Sequence, residues 1–373
     1  MGKLKDPTYQ RFITGPLERF DARNTMFSRN RREEMRTLGE TNSKPLDKFR
    51  HLSPKVGRKG YEQKDYAQAW VGMTIDQLVR RNLYCRDLEV AKTKVDVSDK
   101  LAITQQVKSV ARWIGADLVG ICEVNPSWVY SHWGEHNASY LGGLVGLEDP
   151  VEIPSWIKYA VVMAIEMGYE EIKRSPAVEP ATDFGYAQMA FITPSLATYI
   201  RGLGYHAMPC GNDFALNIPL AIDAGLGELG RHGLLITEPY GPRVRICSVF
   251  TELPLKIDPP INIGVQAFCE RCLRCANACP SRAIMSGERT DKAWDVSNNI
   301  NVLKWPIKAL NCHRWWWDKN EFYCSNCIRV CPYNKPKGWL HSIVKKTVKT
   351  TPVFDRFFVK MDQAMGYGKQ VIK

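Results

Sequence analysis

No stretch of the chain reaches the run of about 18 uninterrupted apolar residues that a membrane span requires. The longest apolar patch, Tyr159 to Met167, has the length of a buried strand. A secretory signal is missing too: the pair Arg31 and Arg32 is followed by EEMRTLGE, where an apolar region would have to stand. If the protein is exported, its signal has been removed. Low-complexity sequence is absent, and nothing repeats except one cysteine motif, which excludes repeat arrays. Acidic residues are scarce, 39 against 51 Lys and Arg, leaving a formal charge of +12. A solvated basic face explains that excess as well as anionic lipid, an acidic partner or RNA would, so charge alone selects no partner.

What is abundant is cysteine, twelve in 373 residues. Cys269, Cys272 and Cys275 stand at two-residue gaps and Cys279 precedes Pro280, the C-x₂-C-x₂-C-x₃-C-P run that holds a [4Fe–4S] cluster in bacterial ferredoxins. Three close thiolates wrap one cubane while the fourth is carried towards another. A second motif follows as Cys324, Cys327, Cys331 and Pro332. It departs from the first: position 321 is Glu, and the nearest upstream cysteine is Cys312, across the eleven-residue insert HRWWWDKNEFY. Crossed ligation gives the sets Cys269, Cys272, Cys275 with Cys331, and Cys324, Cys327, Cys279 with Cys312. Zinc is the competing reading. Tetrahedral zinc needs only two C-x₂-C pairs and gives no role to a third cysteine at the same gap or to the proline. Two four-thiolate cubanes at about −2 each would bring the net charge to roughly +8. Cys85, Cys122, Cys210 and Cys247 lie singly in apolar surroundings and read as buried free thiols, not a disulfide framework.

A chain this long, 45% hydrophobic, can bury at least one large core. Residues 1–73 are basic and rich in turn-formers, an arm packed on the core with Phe20, Phe27 and Trp70 as anchors. Residues 74–260 carry the periodic segments. Leu101 to Gly115 reads as an amphipathic helix and Ala116 to Val124 as the next strand. Near 125–154 the pattern breaks into a Trp-, His- and Gly-bearing loop able to cover a pocket. Trp156 to Met167 is a buried strand. A helix is expected from Thr182, as N-cap, to Gly204, followed by a strand at His206 to Cys210 and a helix at Phe214 to Ala224. Gly233 to Ile236 and Arg243 to Phe250 complete the strands. Strands alternating with helices suggest an α+β or α/β core. Residues 261–340 are a two-cluster ferredoxin-like module, and 341–373 a basic, aromatic tail. Trp315, Trp316 and Trp317 are expected to shield a cluster.

The segment CGNDFALNIPLAIDAGLGELGRHGLLITEPYGPRVRICSVFTELPL, followed by a full and then a truncated ferredoxin motif, resembles the corrinoid-dependent reductive dehalogenases. The resemblance runs from about residue 100 to 340. It implies a nitroreductase-like α/β domain that buries a base-off cobalamin and docks a two-[4Fe–4S] domain. The chain lacks the D-x-H-x-x-G motif that gives cobalt a histidine in other B12 proteins, in keeping with an unligated lower face. The resemblance assigns Tyr186 as proton donor, with Asn212 and Arg245 around its hydroxyl. It also sets Thr182, Gly227, Gly230, Arg231 and His232 beside the corrinoid. Taken alone, a Tyr in an apolar helix, an Arg beside a strand or a glycine-rich turn is ordinary structure. A phenol near its usual pKa of about 10 is a poor acid at neutral pH, so the arginine and a place in the first turn of a helix are expected to lower it. The implied substrate is a small organohalide. The implied electron source is a membrane-bound redox partner or anchor subunit at the outer face of the cytoplasmic membrane; a cytoplasmic protein is the alternative, and no nucleic acid is expected.

Two other functions compete. Epoxyqueuosine reductase, a tRNA-modifying relative with the same cofactors, shares an AGLG…G segment and would suit a basic surface, but here Tyr186 takes the acid's place and the tail shows no helical repeat. An electron carrier without chemistry of its own leaves some 260 residues before the clusters unexplained.

Overall fold

A computed structural model describes residues 2–29, 89–134, 149–319, 323–336, 359–361 and 364–371, with isolated positions between 58 and 75. Trp70, Cys85 and most of the tail lie outside the described residues.

The first long helix, α1 (Lys100–Trp113), starts where Asp99 accepts the N–H groups of Leu101 and Ala102, both at 3.0 Å. Ile103, Val107 and Ala111 recur at helical spacing and are buried. Strands β1 (Leu118–Glu123) and β2 (Tyr159–Glu166), helix α2 (Glu179–Gly202), strand β3 (Ala207–Cys210), helix α3 (Asn217–Asp223) and strand β4 (Val244–Thr251) follow. They build one four-stranded sheet in the order β1-β2-β4-β3, with every neighbouring pair antiparallel. The alternation of strand and helix therefore does not produce a parallel sheet. The α2 crossover does join two parallel strands, β2 and β3, but β4 inserts between them in the opposite sense, which makes the core α+β.

Both sheet faces are covered, so β2 reads as a continuous apolar run in place of an alternating one: Ala160 to Ile165 are each 0% exposed. Val161, Met163 and Ile165 face α1 and α2, packing with Ile192, Leu196 and Ile200. Ala160, Val162 and Ala164 face α3, Trp128 and Phe214. At roughly 1.5–3 kcal/mol for each large side chain fully buried, this double-sided core dominates folding.

Helix α2 begins earlier than its sequence suggests. Its N-cap is Val178, without a side-chain bond, and Pro180 sits in the first turn, where a missing N–H costs nothing. Thr182 is thus not the cap: its N–H already bonds Val178 O at 3.0 Å. Tyr186 lies well past the first turn, so the helix N-terminus does not act on it directly. The other end agrees with its sequence, since Gly204 takes φ +88° just beyond the last turn.

The arm touches both later layers. Arg19 donates to the carbonyls of Val129 and Val151 at 3.3 and 2.5 Å. Tyr9 donates to Asp223 at 2.5 Å, and Trp128 Nε1 donates to the other carboxylate oxygen at 2.9 Å. Phe27 meets His313 edge-on at 5.0 Å. In the cluster module, α4 (Val265–Arg271), α5 (Arg274–Asn277), α6 (Ala309–Asp318) and α7 (Asn326–Arg329) carry the cysteines or their neighbours. Arg243, 1% exposed on its side chain, ties that module to the sheet. It pairs with Glu166 at 2.8 Å and donates to Asn334 Oδ1 and Lys335 O at 3.1 and 2.8 Å. Among the described residues no helix is long and apolar enough to cross a membrane.

Candidate active site

A cavity of about 870 Å³ opens where arm, core and cluster module meet. Tyr186, Asn212 and Asp183 line it from the core, Phe20 and Phe27 from the arm, and Lys304, Trp305 and Ile307 from the module. Trp128 and Tyr130, from the segment that interrupts the core pattern, form part of its wall; residues 135–148 of that segment lie outside the described residues.

Tyr186 projects from α2 towards β4. Its hydroxyl accepts from Arg245 Nη1 at 3.3 Å and Asn212 Nδ2 at 3.4 Å, and the guanidinium carbon stands 4.5 Å from the centre of its ring. The close approach of α2 to β4 requires Gly185, where an added Cβ would lie 2.9 Å from Arg245 Cγ. Asn212 is held in turn by Asn217, whose Nδ2 donates to Asn212 Oδ1 at 3.0 Å and to Ile246 O at 3.0 Å. Ser248 fixes Asn217 from the strand by donating to its Oδ1 at 3.2 Å. Next to this group Tyr323 donates to Asp183 Oδ1 at 2.7 Å. Burial, then the Asp183 carboxylate, then Tyr186 push the Tyr323 hydroxyl well above the usual phenol range against the opposing pull of Arg245, so it keeps its proton. Sequence reasoning missed Asp183, Asn217, Gly185 and Tyr323.

Thr182, Gly227, Gly230, Arg231 and His232, expected beside a corrinoid, are not among the residues that line this cavity. At Gly227 an added Cβ would meet Ile236 O at 2.3 Å, and at Gly230 the His232 ring at 2.7 Å, so both glycines serve packing around the short Glu228–Leu229 and Leu235–Ile236 hairpin. Arg231 donates to the carbonyls of Cys269, Met285 and Gly287 at 2.9, 3.0 and 2.9 Å. His232 Nδ1 accepts the Leu234 N–H at 3.2 Å, and burial lowers its pKa to about 4, which leaves it neutral. Thr182 is wholly buried in α2. Of the glycine-rich turn, Gly233 reaches the cavity wall. Trp316 lies between His313 and Tyr323 and meets both edge-on, at 5.1 and 6.0 Å.

Eight cysteines gather in two adjoining sets. Around Cys331 the neighbouring thiols are Cys269, Cys275 and Cys272; around Cys312 they are Cys324 and Cys279, with Cys327 facing both of these. Cys275 also acts on Cys327, so the sets touch. Burial first and the other thiols second push Cys275 and Cys312 up to about 12. Buried thiolates this close are favourable only with a cation among them. Among the described residues no three His, Cys, Asp or Glu side chains converge as on a single metal ion; a cubane, which spreads its ligands over four iron corners, needs no such convergence.

Two sets of thiols, and a large cavity with Tyr186 and Asn212 in its wall, mark an iron–sulfur protein with a pocket. Residues 268–334 match the 4Fe-4S double cluster binding domain. The chain is 36% identical over 302 residues to the tetrachloroethene reductive dehalogenase of Dehalobacter restrictus, covering 72% of this chain and 54% of that protein. It is 34% identical over 293 residues to the enzyme of the same name from Sulfurospirillum multivorans, covering 73% and 58%. A solved reductive dehalogenase, described as suggesting a mechanism for B12-dependent dehalogenation, superposes with a TM-score of 0.77 over 99% of this chain and 49% of that one at 24% identity, a likeness of fold. The chain is a homologue of the tetrachloroethene reductive dehalogenases, and it spans about half the length of the curated relatives it matches.

Proposed function

We propose that the chain acts as a corrinoid-dependent reductive dehalogenase, replacing a halogen by hydrogen on a small organohalide. The observation that carries this is the meeting of Arg245 and Asn212 on the hydroxyl of Tyr186, at the wall of a cavity that also reaches the cluster module. The residues fit the cofactors. Eight thiols in two sets suit two [4Fe–4S] clusters, and the cavity of about 870 Å³ is near the top of the ~300–1,000 Å³ range of small-molecule sites. On this reading the core is a nitroreductase-like cobalamin-binding domain, and a membrane-bound partner or anchor subunit feeds the clusters.

When bound, the corrinoid supplies reduced cobalt to break the carbon–halogen bond, drawing on electrons carried by the clusters. The exchange consumes two electrons and one proton and releases a halide. Tyr186 holds that proton at its phenolic oxygen. Arg245 and Asn212 donate to the same oxygen and stabilise the charge left when the proton departs. On this reading Arg245 and Asn212 also hold the departing halide. Asn217 keeps Asn212 aimed at the phenol, and Tyr323 with Asp183 closes the wall behind it.

Metal and corrinoid analysis together with halide release tests the reading: about eight iron and about one cobalt per chain, and halide from chlorinated ethenes under strong reductant. Conversion of epoxyqueuosine in tRNA without halide release would replace it. Iron without cobalt after anaerobic reconstitution with a corrinoid would leave an electron carrier.

A further inference from the structure

The cavity wall contributed by the cluster module includes Lys304, a cation that the proposed chemistry does not use. Lys304 lines the cavity, and its backbone N–H is fixed to Thr290 O at 3.1 Å. Burial, with no charged group contributing, lowers its pKa to about 8. Its neighbour Trp305, 4% exposed, lines the same cavity and carries a buried indole N–H without an acceptor. That ring cannot readily turn to find one, because the guanidiniums of Arg231 and Arg289 stand 4.3 and 4.0 Å from its centre. Arg231 spends its own donors on module carbonyls. Ser297 and Asn299 add polar groups to the same wall.

A desolvated ammonium without a counter-charge and an N–H without an acceptor are both unfavourable in isolation, and a single anion relieves both. A neutral organohalide offers none. A corrinoid that carries its nucleotide loop brings one phosphodiester, singly charged, which suits one lysine acting as a point charge and one indole donor. We propose that Lys304 and Trp305 form the subsite that binds the phosphodiester of the corrinoid's nucleotide loop. The proposal rests on the cofactor reading above. It makes the module a cofactor-binding wall in addition to an electron feed, since Lys304 and Tyr186 line the same cavity.

The test compares cobalamin with cobinamide, which keeps the corrin ring and lacks the phosphate, sugar and base. Affinities are measured by equilibrium dialysis on the full chain with both clusters assembled. In Lys304→Met, cobalamin is expected to bind about 10- to 100-fold more weakly, the loss of one charge-assisted hydrogen bond. Cobinamide should change less than about threefold, and Lys304→Arg should recover most of the cobalamin affinity. Equal weakening of both corrinoids, or an unchanged ratio of their affinities, overturns the subsite and leaves the cofactor reading standing. Failure of both corrinoids to bind the unmodified chain removes that reading and the subsite with it. Loss of binding to a halogenated benzoate in Lys304→Met, with cobalamin unaffected, would instead assign the ammonium to an anionic substrate.

Discussion

Replacing Tyr186 by Phe removes one oxygen and keeps the ring, its place on α2 and its stacking under Arg245, whose guanidinium carbon lies 4.5 Å from the ring centre. The two hydrogen bonds lost are long, 3.3 and 3.4 Å, and the residue is only half-buried, so folding should suffer by ~1 kcal/mol or less. Turnover should respond far more. A positioned general acid contributes ~10²- to 10⁴-fold, and neither Arg245 nor Asn212 can replace it, because the amide does not ionise and the guanidinium does not give up its proton. The assay is halide release per cobalt, measured after iron and corrinoid loading have been matched to the parent chain. Tyr186→Phe should then fall by at least ~10² with loading and thermal midpoint essentially unchanged. Near-parental halide release at full loading would take Tyr186 out of the chemistry and assign the proton to water in the cavity.

Gly185→Ala puts a methyl group 2.9 Å from Arg245 Cγ, so the guanidinium must shift; turnover should drop ~10-fold while the helix gains up to ~1 kcal/mol, a split visible by combining kinetics with thermal denaturation. Cys279→Ala should destroy the cluster held mainly by Cys312, Cys324 and Cys327 and spare the one at Cys269, Cys272, Cys275 and Cys331, with EPR of the reduced protein reading which signal survives. Burial raises Asp223 from 3.8 to about 6 despite the hydrogen bonds from Tyr9 and Trp128. Its protonated form is therefore favoured by folding, and that contribution is complete below pH ~4, lost as pH rises through ~6, and at most ~3 kcal/mol. Urea midpoints across that window should fall with pH, and Asp223→Asn should flatten the trend.

The elements were readable wherever local pattern and burial agreed. Leu118 to Glu123 and Tyr159 to Glu166 sit within a few residues of their expected ends, because an apolar run covered on both faces leaves no other assignment. The start of α2 was misread because Thr182 has the chemistry of a cap, whereas the helix is held by the packing of its first turn, where Glu179 and Pro180 are both buried. Sheet order was out of reach for a different reason. Strand and helix alternate equally well in a parallel sheet and in one where β4 slips between β2 and β3, and only the long-range register of Ile165 against Arg245 separates the two.

That register also explains what could and could not be read of the site. Cysteine spacing is local chemistry, so the cluster ligands stand out in the chain itself. The phenol's surroundings are assembled from three distant segments, and the residues that aim them have no motif: Asn217 is one more polar residue at a helix start, and Ser248 one more small residue in a strand. Gly185 carried a faint signal, since a glycine inside an apolar helix costs ~1 kcal/mol and needs a reason. The reason is the passage of Arg245 across α2, and it follows that the same contact sets both helix position and guanidinium aim. A substitution at Gly185 cannot be compensated by changing Tyr186, but a shorter cation at position 245 should partly relieve it. Gly185→Ala combined with Arg245→Lys should therefore be less than additive in lost turnover, as expected for two residues in direct contact. Additive losses would mean that Gly185 acts through the helix alone and that its contact with Arg245 has no part in aiming the guanidinium.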